Sequence, residues 1–267
     1  MHPAVSSDEL PRDSKNDQKA EEISKMNYYG KTDIGKKRVE NQDSFGYKEL
    51  DRMTVLAVCD GMGGAKGGAT ASRIALDSFL SICERDLAPD IDDRQIRTIL
   101  SRAVAEANSA VLREASQNSE LAGMGSTLVA ALITENDVFI INVGDSRAYT
   151  ATSSTLEQVS HDHSYVQLLI DLGSITPEEA ESHPDRHVIM KAIGASETLT
   201  PDVDKLETDR PSYILLCTDG LTGMVKADDI KDVMVSSYAL SEKVDRLVDL
   251  ANENGGEDNI TVLAAEL

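Results

Sequence analysis

Four aspartates stand beside glycine or asparagine at the ends of apolar runs. They are Asp43 in Asn41-Gln42-Asp43, Asp60 ahead of Gly61, Asp219 ahead of Gly220, and Asp258 in Gly255-Gly256-Glu257-Asp258-Asn259. Strand ends gather on one edge of a sheet, so residues this far apart in sequence can meet there. Two carboxylates about 4 Å apart repel by about 4 kcal/mol at an effective dielectric of 20. Such a cluster must protonate or bind cations. With oxygen donors alone and no histidine or cysteine ligand nearby, the donor set selects hard divalent ions, Mg²⁺ or Mn²⁺. Arg38 lies five residues ahead of Asp43 and supplies the planar fork that clamps phosphate oxygens beside a metal. Gly63, Gly64, Gly67 and Gly68 keep the loop after Asp60 free of side-chain bulk. Taken singly, each Asp-Gly pair reads as an ordinary turn; the four together, with Arg38, carry the metal reading.

Short strands and long helices must position these groups. Met53–Val58 is a β-branched run that stops at Cys59-Asp60-Gly61. Helical spacing follows over Ala69–Arg85, and Asp92–Ser116 carries Ile96, Ile99, Leu100, Ala103, Val104, Ala107 and Val111 as one stripe. Ser126–Thr134 and Asp137–Val143 read as strands joined by a turn at Glu135-Asn136, with Ser146–Thr150 as a third. Ser160–Ile193 is broken and polar, with a helix start at Thr176-Pro177-Glu178-Glu179. Tyr213–Cys217 is a buried-type strand, Ser241–Asn254 a helix with Gly255 beyond its end, and Ile260–Ala264 a final strand. Strands in consecutive runs, with helices in pairs between them, predict an α+β fold with antiparallel sheets.

The chain has 267 residues, with 26 Lys+Arg against 47 Asp+Glu, for a formal net charge of −21. A field of that sign repels phosphate backbones and anionic lipid, so nucleic acid and membrane surfaces are poor partners. The longest apolar runs, Ser212–Cys217 and Thr127–Ile133, fall far short of the ~20 residues a membrane span requires. Cys59, Cys83 and Cys217 show no paired spacing, which excludes a disulfide framework and fits a reducing cytoplasm. Residues 1–25 are polar and of mixed charge, with too few apolar groups to bury, and read as a disordered tail; residues 26–267 read as one domain.

Six segments in order carry a resemblance. They are Asp33-Ile-Gly-Lys-Lys-Arg38-Val-Glu-Asn41-Gln42-Asp43, Val58-Cys-Asp60-Gly61-Met62-Gly63-Gly64, Gly125-Ser126-Thr127, Val143-Gly144-Asp145-Ser146-Arg147, Cys217-Thr218-Asp219-Gly220-Leu221 and Asp258-Asn259-Ile-Thr261. The chain resembles the metal-dependent protein phosphatases of type 2C, in their compact bacterial form, from about Asn27 to its end. The resemblance implies a four-layer α-β-β-α sandwich, two central antiparallel sheets flanked by helices. It implies a monomeric serine/threonine phosphatase with two Mn²⁺ or Mg²⁺ ions. Asp60 bridges them, the Gly61 carbonyl binds one, and Asp219 and Asp258 bind the other. Asp43 binds or orients metal-held water, Arg38 holds the substrate phosphate, and Asp145 with Asp219 can take a third ion. Two ions about 3.5–4 Å apart lower the pKa of a shared water toward ~7 for in-line attack on phosphorus. Phosphorylated proteins, made by a cognate serine/threonine kinase, are the implied partners.

The chain departs from that pattern in places. Met62 stands where some relatives carry a histidine proposed as general acid, and Ala65 and Lys66 follow Gly64 where Gly-Gly-His is common. The proton source for the leaving oxygen is therefore open, and Lys66 reads as a solvated lysine. His161 and His163 fall in the stretch matching the family's flap; substrate or third-metal contact and simple satisfaction within a polar loop stand equal. Gly30-Lys31-Thr32 lacks the upstream glycine of a phosphate-binding loop, and Met62 excludes the paired aspartates of an aspartyl-phosphate enzyme. A cation-binding module without activity, or a phosphatase of one small metabolite, are the competing functions.

Overall fold

The computed structural model describes residues 26–206 and 211–267. The segment 1–25, expected to be a tail, lies outside the described residues. The chain opens with β1 (Asn27–Asp33), β2 (Asp43–Leu50) and β3 (Met53–Met62), followed by α1 (Gly64–Asp86) and α2 (Asp93–Gln117). Next come β4 (Gly125–Ser126), β5 (Leu128–Thr134), β6 (Val138–Val143), β7 (Arg147–Ala151) and β8 (Leu156–Gln158). Two short helices, α3 (Tyr165–Asp171) and α4 (Pro177–Glu181), precede β9 (Asp202–Lys205) and β10 (Tyr213–Cys217). The chain closes with α5 (Asp219–Thr222), α6 (Ala227–Val235), α7 (Leu240–Glu253) and β11 (Ile260–Glu266).

One sheet runs β1-β11-β10-β7-β8 and the other β2-β3-β5-β6-β9, with β4 beside β3; the strand pairs described are antiparallel. Period-two alternation sends each strand's apolar residues both ways. In β3, Val55, Ala57 and Cys59 pack under α1 and α2, whereas Leu56 and Val58 face the second sheet. In β10, Leu215 and Cys217 meet α6 and α7, whereas Ile214 and Leu216 face inward. Leu263 and Ala265 of β11 join the same inner layer. The expected α-β-β-α sandwich is the observed one.

Local signals behave as their chemistry dictates. Asp92 caps α2 in a reciprocal box with Gln95, and Thr176 caps α4 in the same way with Glu179. Three readings need correction. The glycine-rich stretch after Asp60 is not a loop, because Gly64–Gly68 already form the first turns of α1, entered through Gly63 at φ 109°. The broken segment 160–193 holds α4 at the helix start expected from Thr176, but also α3, which the pattern did not indicate, and bridges from Ser126 to Ile193 and from Ser164 to Ile189 tie it down. Finally, the sequence pattern does not indicate β1, β8 and β9, nor β2 and α6. DSFGYKEL carries polar residues and a glycine, and ADDIKDVMV is only nine residues long.

Candidate metal centre

The alternation that builds the inner layer also delivers the first carboxylate. Leu56, Val58 and Asp60 share one face of β3, so Asp60 takes the next inward position after two core residues. Asp43 is its direct cross-strand partner in β2. Like charges placed opposite each other destabilise a sheet, so this pair is costly unless a cation or proton lies between. From the second sheet, Asp219 follows β10 at the start of α5, and Asp258 lies two residues ahead of β11. Asp145 occupies the turn between β6 and β7. The structure thus places all five sequence-predicted aspartates at one end of the inter-sheet core, near enough for their charges to act on one another without three of them closing around a single point.

Their electrostatics follow from burial and mutual repulsion. Burial first, then the charges of Asp219 and Asp258, push Asp43 up to about 7 despite two hydroxyl donors. Burial and then Asp219 push Asp145 up to about 7. Asp60 is raised well above its ordinary value by desolvation and by the charges of Asp43, Asp219, Asp145 and Asp258. Asp219 is raised by burial and by Asp258. Asp43 Oδ1, Asp145 Oδ1 and Asp219 Oδ1 are buried without a hydrogen-bond partner among the described residues. An orphaned buried carboxylate oxygen demands a proton or a cation, and an all-oxygen donor set fits Mg²⁺ or Mn²⁺. Among the described residues no three His, Cys, Asp or Glu side chains are drawn in around one point. Backbone oxygen and water would complete the coordination of any ion held here.

The glycines beside the aspartates are there for close approach and not for a turn. A Cβ on Gly61 would lie 2.1 Å from the Gly68 carbonyl oxygen, and one on Gly220 would lie 1.9 Å from that of Asn259. Neither has a positive φ. Gly220 therefore allows the Asp219 turn to seat directly on the Asn259-Ile260 backbone, and the Asp258 charge acts on Asp219 from there.

Hydroxyls fix the cluster, and sequence reasoning assigned them no role. Thr218 Oγ1 and Thr261 Oγ1 both donate to Asp43 Oδ2, at 2.9 and 2.6 Å, leaving Oδ1 free. Ser126 Oγ donates to the Asp60 carbonyl, and the Asp60 N–H donates to Thr127 Oγ1. Thr218 and Thr261 lie in the aspartate motifs and Ser126 and Thr127 in a motif of their own, so their signal was position, without a hint of partner. Asn259 accepts from the Gln42 N–H and donates to the carbonyls of Ile34 and Glu40, tying the two sheets at this end.

Arg38 lies at the mouth, half-exposed, with Nη2 donating to Asp258 Oδ2 at 2.6 Å. The histidines divide. His163 Nδ1 accepts from the Gly144 N–H while Nε2 lies 3.0 Å from Asp202 and 3.0 Å from Lys191 Nζ, so it is satisfied within the protein. His161 pairs with Asp171 at the surface. His187, which no sequence motif singles out, lies within electrostatic reach of Asp219. Cys59 and Cys217 are fully buried and their thiols are pushed up by burial, Cys217 to about 12. They are packing residues.

The protein phosphatase 2C family model matches residues 31–264. Serine/threonine phosphatase stp of Listeria welshimeri is 38% identical over 237 residues, covering 88% of this chain and 94% of its own length. Protein phosphatase PhpP of Streptococcus pneumoniae is 35% identical over 237 residues, covering 86% and 93%. Among solved structures, Stp1 from Staphylococcus aureus superposes with a TM-score of 0.86 at 37% identity, covering 91% of this chain and 96% of that one. The catalytic domain of PstP, solved in complex with two manganese ions, gives 0.78 at 32% identity, covering 90% and 97%. With sequence, fold and carboxylate cluster in agreement, the chain belongs to the protein phosphatase 2C family and is a metal-dependent phosphoprotein phosphatase.

Proposed function

We propose that this enzyme hydrolyses phosphoserine and phosphothreonine in proteins by direct attack of water on phosphorus at a two-cation centre. The observation that carries the reading is the meeting of Asp43, Asp60, Asp219 and Asp258 where the inter-sheet core ends, with Asp43 Oδ1 and Asp219 Oδ1 left unpartnered. The names of stp and PhpP and the manganese in PstP support it. Bound divalent cations supply Lewis acidity that brings the pKa of a coordinated water from 15.7 toward ~7.

The residues divide the work. Asp60 and the Gly61 carbonyl would hold one ion, Asp60 reaching across to the second. Asp219 and Asp258 would complete the second site, and Asp145, whose strongest charged neighbour is Asp219, a third. Asp43, pinned through Oδ2 by Thr218 and Thr261, presents Oδ1 to orient the attacking water. Arg38 neutralises the phosphate oxygens, exchanging its contact with Asp258 for the substrate. Met62 has no proton to give, so the leaving oxygen takes its proton from water. Substrates would be the products of a serine/threonine kinase.

The test uses the purified full chain on phosphothreonine, phosphoserine and phosphotyrosine peptides, with and without Mn²⁺. Manganese-dependent release of phosphate from the first two, with little from the third, is the expected result. Tight Mn²⁺ binding without turnover would replace the reading by a cation-binding module.

A further inference from the structure

Lys36-Lys37-Arg38 is the one place in the 267 residues where Lys or Arg residues adjoin, in a chain whose net charge is −21. It lies at the mouth of the carboxylate cluster, because Arg38 contacts Asp258. The turn that carries it is held in shape. The N–H groups of Lys36 and Lys37 both donate to the Gly256 carbonyl, at 2.7 and 3.2 Å. Gly35, at φ 76°, donates to Asp33 Oδ1, and Asn259 Nδ2 donates to the carbonyls of Ile34 and Glu40 on either side.

Among the described residues many cations are paired with carboxylates, whereas Lys36 and Lys37, like the isolated Arg73, Arg94, Arg113, Arg186, Lys226 and Lys231, are not, and only these two adjoin one another. Lys31, Lys48, Arg52, Arg102, Lys205 and Arg246 each lie between 2.5 and 3.0 Å from a carboxylate. Among the described residues, Lys36 and Lys37 are exposed and their side chains have no ion-pair or hydrogen-bond partner. Of the nearby described acids, Asp33 accepts from Gly35 and Asn252 and Asp258 accepts from Arg38, whereas Glu40 and Glu257 are exposed and make no ion pair with either lysine. Uncommitted, contiguous positive charge on a braced turn suits an anionic partner that arrives with the phosphate, since complementary charge sets encounter and register.

We infer that Lys36 and Lys37 form a docking surface for acidic residues flanking the phosphorylated residue of a protein substrate. This rests on the phosphatase reading above and extends it to substrate choice. The phosphate enters at Arg38 while flanking Asp or Glu side chains meet the two lysines. A basic flanking sequence is repelled there by the same charges.

The experiment compares two phosphothreonine peptides identical except for three flanking glutamates or glutamines, with p-nitrophenyl phosphate as a substrate lacking flanks, all with Mn²⁺. At low ionic strength the wild type should favour the glutamate peptide in kcat/KM by about five- to tenfold, as two exposed charge pairs allow. The preference should reside in KM and fade near 1 M salt, where the screening length is about 3 Å. The double variant K36Q/K37Q should abolish it and K36E/K37E should invert it, with p-nitrophenyl phosphate turnover unchanged in both. A preference that survives in K36Q/K37Q, or is absent from the wild type while p-nitrophenyl phosphate is hydrolysed, overturns the docking surface. Absence of p-nitrophenyl phosphate hydrolysis by the wild type instead overturns the phosphatase reading and the docking surface with it.

Discussion

Asp145 and Arg147 are two residues apart, yet they belong to opposite kinds of buried polar cluster. Arg147 Nε donates to Asp162 Oδ2 at 2.8 Å, Nη2 lies 2.7 Å from the same oxygen, and Gln158 Nε2 donates to Asp162 Oδ1 at 2.8 Å. Burial opposes the Arg147 charge, but Asp162 outweighs it and the guanidinium is raised above its ordinary value. Every strong donor and acceptor there is matched. On the other side of the turn, Asp145 faces carboxylates of its own sign and keeps an oxygen without a partner. One cluster fastens segment 160–193 to β7; the other stores repulsion that a cation can relieve. Each holds a buried carboxylate, Asp162 in one and Asp145 in the other, and only the second is unfinished. An incomplete buried cluster points to a ligand, whereas a complete one points to architecture.

Breaking either cluster should have opposite consequences, and the largest effect lies in the unfinished one. Asp219→Asn or Asp258→Asn should lower kcat/KM by about 10⁴-fold or more while far-UV circular dichroism remains that of the wild type. Full turnover by either variant would remove these residues from the centre. Arg147→Ala should do the reverse, costing about 3–5 kcal/mol of stability by leaving Asp162 buried and unpaired, as read by denaturant midpoint. Thermal melts with and without Mn²⁺ sharpen the contrast. The ion at 100 times its Kd should stabilise the wild type by about 2.7 kcal/mol, and the Asp219→Asn variant by much less.

The pH dependence of the cation-free protein isolates the stored repulsion. Asp43 and Asp145 have carboxyls near 7 when folded against 3.8 as the ordinary value. A group raised in this way binds its proton more tightly in the folded chain. Its stabilisation is complete below about pH 3.8 and is lost as pH rises through about 7. Asp43→Asn should therefore gain on the cation-free wild type between pH 4 and pH 8, by about 5 °C in Tm. A constant difference across that range would place Asp43 outside the repulsive cluster. The smallest effect is expected at the hydroxyl clamp. Thr261→Val should cost about 1 kcal/mol of stability and lower kcat with little change in KM, and Thr261→Ser should restore kcat.

Much of this was legible in the sequence because the relevant signals are local. Leu56, Val58 and Asp60 already declare an inward face that changes from apolar to acidic, and Asp92 with Gln95 declares a helix start. The β2 strand was not legible, since Phe45 and Tyr47 alternate with a glycine and charges too weakly to separate a strand from a loop. Its existence is decided by the β3 edge, which supplies eight register partners from Asp43 to Leu50. The start of α1 was misread because glycines suggest a loop, whereas the close packing of Gly68 against Gln42 and Gly61 requires glycine within a helix.

What the residues determined by themselves was the chemistry available: oxygen donors only, an arginine in reach, cysteines kept inert by apolar neighbours, and a basic triplet in an acidic chain. Only the tertiary structure decided that Asp43 is opposite Asp60, that Thr218 and Thr261 hold one of its oxygens and free the other, and that Gly220 admits the Asp219 turn against the Asn259 carbonyl. The reason is physical. Residue type and alternation act within a few positions along the chain, whereas repulsion, desolvation and hydrogen-bond satisfaction depend on distances between strands that are far apart in sequence.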